Sequence, residues 1–216
     1  MSRIVVFGAG GRAGRRAVTE ALSRGHEVTA VVRDPAKYRD LADKGVTVVE
    51  GDVLDPAATA ELAAGHDAVV QASYQQDLPV DEFFPRAARA LLQGLGQAGV
   101  RRLVAVGVGT TLEAAPGLLV HDTPGFPEAH RTFSLGHLAE LDALRAADTE
   151  VDWVVVAPPP VFLDVEAERT GRYRTGGARL LPRSEEPAAF SYADLAVALI
   201  DEIESPRHHR ELVAVG

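Results

Sequence analysis

The chain has 216 residues, 46% of them hydrophobic, with a formal net charge of −9 and no cysteine. That length suits one α/β domain with a sizeable core. The negative balance disfavours a general nucleic-acid surface, no apolar run approaches the ~20 residues of a membrane span, and disulfides, thiolate nucleophiles and cysteine–zinc sites are excluded.

Arg3 to Phe7 reads as a first strand and not as a leader, so a cytoplasmic protein is expected. The strand runs into Gly8-Ala9-Gly10-Gly11-Arg12-Ala13-Gly14, and a helix-forming run from Arg15 to Leu22 follows. Gly8 can turn the chain sharply at the strand end. Gly10 and Gly11 let a phosphate approach the backbone, and Gly14 lets the helix pack close to the strand. Helix-start amides then face the phosphates with the positive end of the dipole. A second strand, His26 to Val32, is rich in β-branched residues and ends at Arg33-Asp34-Pro35. Asp34 reads as an N-cap with Pro35 in the first turn, predicting a short helix from Ala36 to Lys44. Val46 to Glu50 is a third strand closing on Gly51-Asp52. Asp55-Pro56 repeats the cap-plus-proline signal before a helix to about Ala64, and Ala68 to Ala72 is the fourth strand.

The rhythm continues with a helix from Asp81 to Ala98 and a fifth strand from Arg102 to Gly107. An irregular stretch, Gly109 to Phe126, precedes a long helix from Glu128 to Ala147; a loop of that length in a compact domain is usually functional. Val151 to Ala157 is a sixth strand, stopped by Pro158-Pro159-Pro160. A polar excursion, Glu166 to Leu181, leads to a helix from Ser191 to Glu204 and a last strand, Leu212 to Val215. Strands alternating with helices of this length imply parallel βαβ units with right-handed crossovers. The expected fold is α/β, a doubly wound parallel sheet of the dinucleotide-binding Rossmann kind, with residues 1–216 as one domain. Segments of about 109–127 and 161–182 are expected on its substrate side, the first giving apolar contacts through Leu112, Leu118, Leu119 and Phe126, the second selecting an anionic group through Arg169, Arg172, Tyr173 and Arg174.

Arg33 follows the second strand, where the adenosine ribose of a dinucleotide lies. A carboxylate there suits the ribose hydroxyls of NAD, and an arginine suits a 2′-phosphate. Arg12 in the glycine loop and Lys37 can reach the same phosphate, so NADP(H) is the expected cofactor. Asp52 is placed to accept from the adenine amino group, or it serves only as a strand-end turn. Ala72 and Ser73 would line the cofactor's middle, with Tyr74, Gln75 and Gln76 continuing toward the substrate. Thr111 or Thr110, after the fifth strand, can orient a substrate oxygen. His130 and His137 share a helix face with Glu140 one turn further, which suggests a proton relay. No zinc-type spacing completes that set, and no metal is expected. His130 is the candidate substrate-side acid.

Gly8-x-x-Gly11-x-x-Gly14, Arg33-Asp34-Pro35, Gly51-Asp52-Val53 and Val155-x-x-Pro158 together resemble the atypical short-chain dehydrogenase/reductase superfamily. More narrowly, the chain is similar to the small NAD(P)H-binding proteins related to biliverdin reductase B and the NmrA-like group. The resemblance implies that Ala13, Val53 and Pro158 also face the cofactor. It implies NADPH-dependent reduction of a small carbonyl, quinone or flavin-like substrate by a monomer or homodimer. The alternative it allows is a non-catalytic NADP(H)-binding regulator that senses redox state. Short-chain enzymes of the catalytic pattern carry Tyr-x-x-x-Lys on the helix after the fifth strand. One alignment frame puts Phe133 and His137 at those two positions, and a phenyl ring cannot donate a proton.

Overall fold

The computed structural model describes residues 1–42, 45–161, 163–182 and 190–216. In chain order the first half contains β1 (Arg3–Phe7), α1 (Arg12–Ser23), β2 (Glu27–Val32), α2 (Arg39–Ala42), β3 (Thr47–Glu50), α3 (Pro56–Ala63), β4 (Ala68–Gln71) and α4 (Val80–Ala98). The second half contains β5 (Arg102–Val106), β6 (Glu113–Ala115), β7 (Leu118–Leu119), α5 (Glu128–Ala146), β8 (Asp152–Ala157), α6 (Tyr192–Glu204) and β9 (Glu211–Ala214). The main sheet has seven strands in the order β3-β2-β1-β4-β5-β8-β9, every pairing parallel.

A sheet of this kind is covered on both faces, so its inner strands read as apolar runs without alternation. Ile4, Val5 and Val6 of β1 and Val69 and Val70 of β4 are all fully buried. Two cores result. One lies under α3, α4 and α5 and contains Phe83, Phe84, Leu91 and Leu144. The other lies under α1, α2 and α6 and contains Ala17, Val18, Leu41, Leu195 and Leu199.

Several boundaries differ from the sequence reading for local reasons. Helix α1 begins at Arg12, not Arg15, so the second half of the glycine loop is already its first turn. The helix expected from Ala36 to Lys44 splits into a 3-10 turn, Pro35–Tyr38, and the short α2; Lys44 lies outside the described residues. The Asp34 side chain accepts from the Ala36 amide as foreseen. The stretch from Gly109 to Phe126 is not irregular. It forms 3-10 turns at Gly109–Thr111 and Val120–Asp122, with the β6–β7 hairpin between them.

Candidate functional site

Strand order reverses between β1 and β4, and the crevice outside their carboxyl ends is where ligands bind in open parallel sheets. Here that crevice is a continuous cleft of about 1400 Å³. It runs from the loop after β2, across the glycine loop, to the start of α5.

Each loop glycine meets a different constraint. Gly8 has φ +76°, and a Cβ on it would lie 2.5 Å from the Ala72 carbonyl. A Cβ on Gly14 would fall 2.1 Å from the Gly8 oxygen, so it is the close helix–strand contact that requires glycine there. Gly10 departs from the expectation that it makes room for a phosphate: the Tyr38 ring already fills its missing side chain, 2.3 Å from a built Cβ. Gly11 is the open one. A Cβ there meets only the Gly8 and Ala72 oxygens, at 3.3 and 3.9 Å. Gly11 is also the N-cap of α1 and supplies no capping side chain. The first-turn amides of a helix have no acceptor within it. Gly10, Gly11, Arg12 and Ala13 line the cleft, so amides and dipole are presented as a pyrophosphate would need them.

Arg33, Asp34, Lys37 and Tyr38 line one end of the cleft. Arg33 Nη1 lies 3.3 Å from Asp77 Oδ1, and both side chains are exposed. Lys37 pairs with the N-cap Asp34 at 3.3 Å. Asp52 and Val53 line the same cleft. Asp52 Oδ1 accepts from the Leu54 amide (3.0 Å) and from Gln75 Nε2 (3.1 Å), so the strand-end turn role is present. Ala72, Ser73 and Pro158 line the middle. The Ser73 hydroxyl donates to Gln71 Oε1 at 2.9 Å.

Beyond Ser73 the cleft widens into an aromatic chamber. Tyr74 stacks on Phe84, with centroids 5.6 Å apart and planes 6° from parallel. Phe133 meets both rings edge-on, at 5.5 and 5.6 Å. His137 lies over Phe84 at 3.8 Å. Pro159, Val161, Leu163 and Tyr192 also line the cleft. His130 lines the cleft, as expected of a substrate-side residue. Thr111 does not: it is buried and its hydroxyl donates to the Val108 carbonyl at 2.8 Å. Thr110 faces the cleft in its place, accepting from Ser134 Oγ at 2.8 Å. Tyr38, Phe84 and Ser134 were missed in the sequence. Phe84 reads as another core residue on the apolar face of its helix, which it is, at 3% exposure, and nothing local marks that it also lines the cleft.

The two substrate-side segments contribute less than expected. Of 109–127, the two ends, including Thr110, Phe126 and Pro127, line the cleft. Leu112 is buried in the core, and the hairpin turns away to bond Ala178 and Leu180 through Glu113. Of 161–182, Val161 and Leu163 line the cleft; Phe162 lies outside the described residues. The residues expected to select an anionic substrate point elsewhere. Arg169 bonds both carboxylate oxygens of Glu20 on α1 at 2.8 Å, holding that carboxyl below its ordinary range. Tyr173 donates to Asp201 on α6 at 2.6 Å, and burial, together with that carboxylate, pushes its phenol upward. Arg174 reaches the Pro182 carbonyl. Burying α1 and α6 polar groups under a covering strap, not reaching a ligand, is what these side chains do.

Asp194 ties the strap down. It is 1% exposed, and its Oδ1 accepts from the Thr170 and Gly171 amides at 2.9 and 2.8 Å. Its Oδ2 faces the Ser191 hydroxyl at 3.0 Å. Asp194→Ala strands the buried Ser191 hydroxyl, at a cost of about 1–3 kcal/mol, and takes the acceptor from two amides on the exposed strap, which water can reach. The expected result is a loss of about 1–3 kcal/mol in denaturant unfolding, with faster hydrogen exchange at Thr170 and Gly171.

Comparison with known proteins agrees with this geometry. A family model described as NAD(P)H-binding matches residues 8–206. The uncharacterised protein YwnB of Bacillus subtilis strain 168 is 34% identical over 219 residues, covering 99% of this chain and 97% of YwnB. The crystal structure of a proposed exported protein from Burkholderia pseudomallei shares 35% identity and a TM-score of 0.86, covering 100% of both chains. That of a proposed NADH-flavin reductase from Streptococcus pneumoniae TIGR4 shares 29% identity and a TM-score of 0.85, covering 100% of this chain and 99% of that one. A glycine loop that leaves helix amides open at the sheet's switch point, in a match that runs through nearly the whole chain, has one reading: the chain belongs to the NAD(P)H-binding family.

Proposed function

We propose that the protein is an NADPH-dependent reductase of a small, flat carbonyl, quinone or flavin-like acceptor, working in the cytoplasm. The observation that carries this reading is the aromatic chamber of Tyr74, Phe84 and Phe133, continuous with the glycine-loop cleft. These rings pack directly on one another, and Tyr74, 40% exposed over the cluster, leaves ring surface against which a planar guest can lie. Arg12, Arg33 and Lys37 line the other end of the cleft, so the chamber is neutral apart from His130, His137 and Glu140, among the described residues. That favours an uncharged acceptor.

NADPH, when bound, supplies a hydride. The chain's part is to position the acceptor and exclude water. Gly11, Arg12 and Ala13 would hold the pyrophosphate, Arg33 and Lys37 the 2′-phosphate, and Ala72, Ser73 and Pro158 the middle of the cofactor. Thr110, replacing Thr111, and His130 would contact the acceptor. The supporting experiment is NADPH oxidation, followed by loss of nicotinamide absorbance, with menadione, riboflavin and 4-nitrobenzaldehyde. Turnover with at least one of them is expected. NADPH binding without turnover on any acceptor favours the second reading, an NmrA-like redox-sensing regulator, for which Phe133 in the tyrosine position speaks.

A further inference from the structure

We infer that His137 is the proton donor of the reduction and that Glu140 positions it, an inference that rests on the reductase reading. Reduction of a carbonyl adds a hydride to carbon, while the π electrons move to oxygen. In an apolar chamber that oxyanion is costly unless a proton arrives with the hydride. The hydride comes from NADPH, which leaves as NADP⁺; the proton comes from Nε2–H of His137, which regains it from water in the cleft.

The hydroxyls nearby are poor alternatives. Ser73 donates to Gln71 and Ser134 to Thr110. Tyr74 and Tyr192 line the cleft, but a phenol gives up its proton readily only beside a cation. The cationic side chains lining the cleft, Arg12, Arg33 and Lys37, lie on the glycine loop and at the adenosine end.

His137 is built differently. It is 7% exposed and lines the cleft, clamped over Phe84 at 3.8 Å and edge-on to Phe133 at 5.0 Å. Its Nδ1 lies 3.0 Å from Glu140 Oε2. Glu140 is 2% exposed, and among the described residues His137 is its one hydrogen-bond partner. Nε2 has no partner among the described residues and is not sealed from solvent; the one buried side-chain atom left in that state is Thr59 Oγ1. With Nδ1–H held by a buried carboxylate, the second proton of the ring sits on Nε2, the nitrogen left to the cleft. This is the arrangement of a base oriented by a third group. Helix spacing explains it: i and i+3 on α5 share a face, and α4 presents Phe84 to that face.

The experiment compares two acceptors with NADPH. Reducing 4-nitrobenzaldehyde generates an alkoxide, far more basic than the hydroquinone anion from menadione, so it depends more on an acid. His137→Gln is expected to lower kcat about a hundredfold or more with the aldehyde and under about tenfold with menadione. KM and NADPH affinity by fluorescence titration should stay unchanged. Glu140→Gln should show the same acceptor-dependent pattern, weaker. Without cofactor, ¹⁵N NMR of the neutral His137 ring should show the Nδ1–H tautomer, becoming mixed in Glu140→Gln. Equal losses on both acceptors, lost NADPH affinity, no loss, or the same pattern from His130→Gln, Tyr74→Phe or Tyr192→Phe would each overturn the assignment. Turnover of riboflavin but of neither of these acceptors would overturn this inference alone; failure with all three would overturn the reductase reading, and this inference with it.

Discussion

Gly11→Val is expected to abolish NADPH binding in a protein that still folds. The N-cap backbone at Gly11 has φ −77° and ψ 175°, extended values that any residue adopts. A Cβ there meets nothing closer than the Gly8 oxygen at 3.3 Å, a tight contact that a shift of a few tenths of an ångström relieves, so the fold is expected to survive the substitution. The branched methyls, however, would occupy the space in front of the first-turn amides of α1, where a pyrophosphate must come within hydrogen-bond distance. Each amide–phosphate bond is charge-assisted and contributes about 1.5–3 kcal/mol, so losing two or three of them takes binding beyond calorimetric detection. Gly14→Ala is the contrasting control. Its Cβ would lie 2.1 Å from the Gly8 oxygen, which must push α1 off β1 and lower the melting temperature. A folded Gly11→Val protein that binds NADPH normally would show that the pyrophosphate lies elsewhere.

Arg33→Ala is expected to weaken NADPH by about tenfold or more while leaving NADH nearly unchanged. A guanidinium paired with phosphate contributes about 1.5–3 kcal/mol, and 1.4 kcal/mol is a factor of ten. Arg33 is not idle without a ligand: it faces Asp77 at 3.3 Å. With the two side chains 58% and 71% exposed, that pair contributes little, and a doubly charged phosphate displaces the carboxylate. Asp77 is therefore a weak competitor, and Asp77→Asn should tighten NADPH by a small factor with no gain for NADH. Arg12→Ala should repeat the Arg33 result in smaller measure. Calorimetry giving equal NADPH and NADH affinities for the unaltered protein would rule out a 2′-phosphate site here.

The sequence alone determined what depends on neighbours along the chain. The glycine loop between a strand and a helix, the Asp-Pro and Ser191 caps, and the strand–helix alternation are all short-range signals. The structure reproduces them: Asp55 accepts from the Ala57 and Ala58 amides, and Ser191 Oγ from the Asp194 amide. A parallel alternating pattern with right-handed crossovers leaves few topologies, so Arg33 could be placed on the cleft at the carboxyl end of β2 without coordinates. Helical spacing likewise put His130, His137 and Glu140 on one face.

Only the tertiary structure decided what each face meets. Periodicity tells which residues share a side of an element, and it is silent on which element packs there. So Phe84 read as ordinary core until α4 and α5 came together, and Tyr38 was invisible as the filler of Gly10. The arginines of 161–182 and Tyr173 read as ligands for a substrate because sequence cannot say which way a strap crosses its sheet. Their carboxylate partners, Glu20 for Arg169 and Asp201 for Tyr173, are far along the chain. A polar side chain finds its partner through space, and the folded arrangement of α1, α6 and the strap sets that distance.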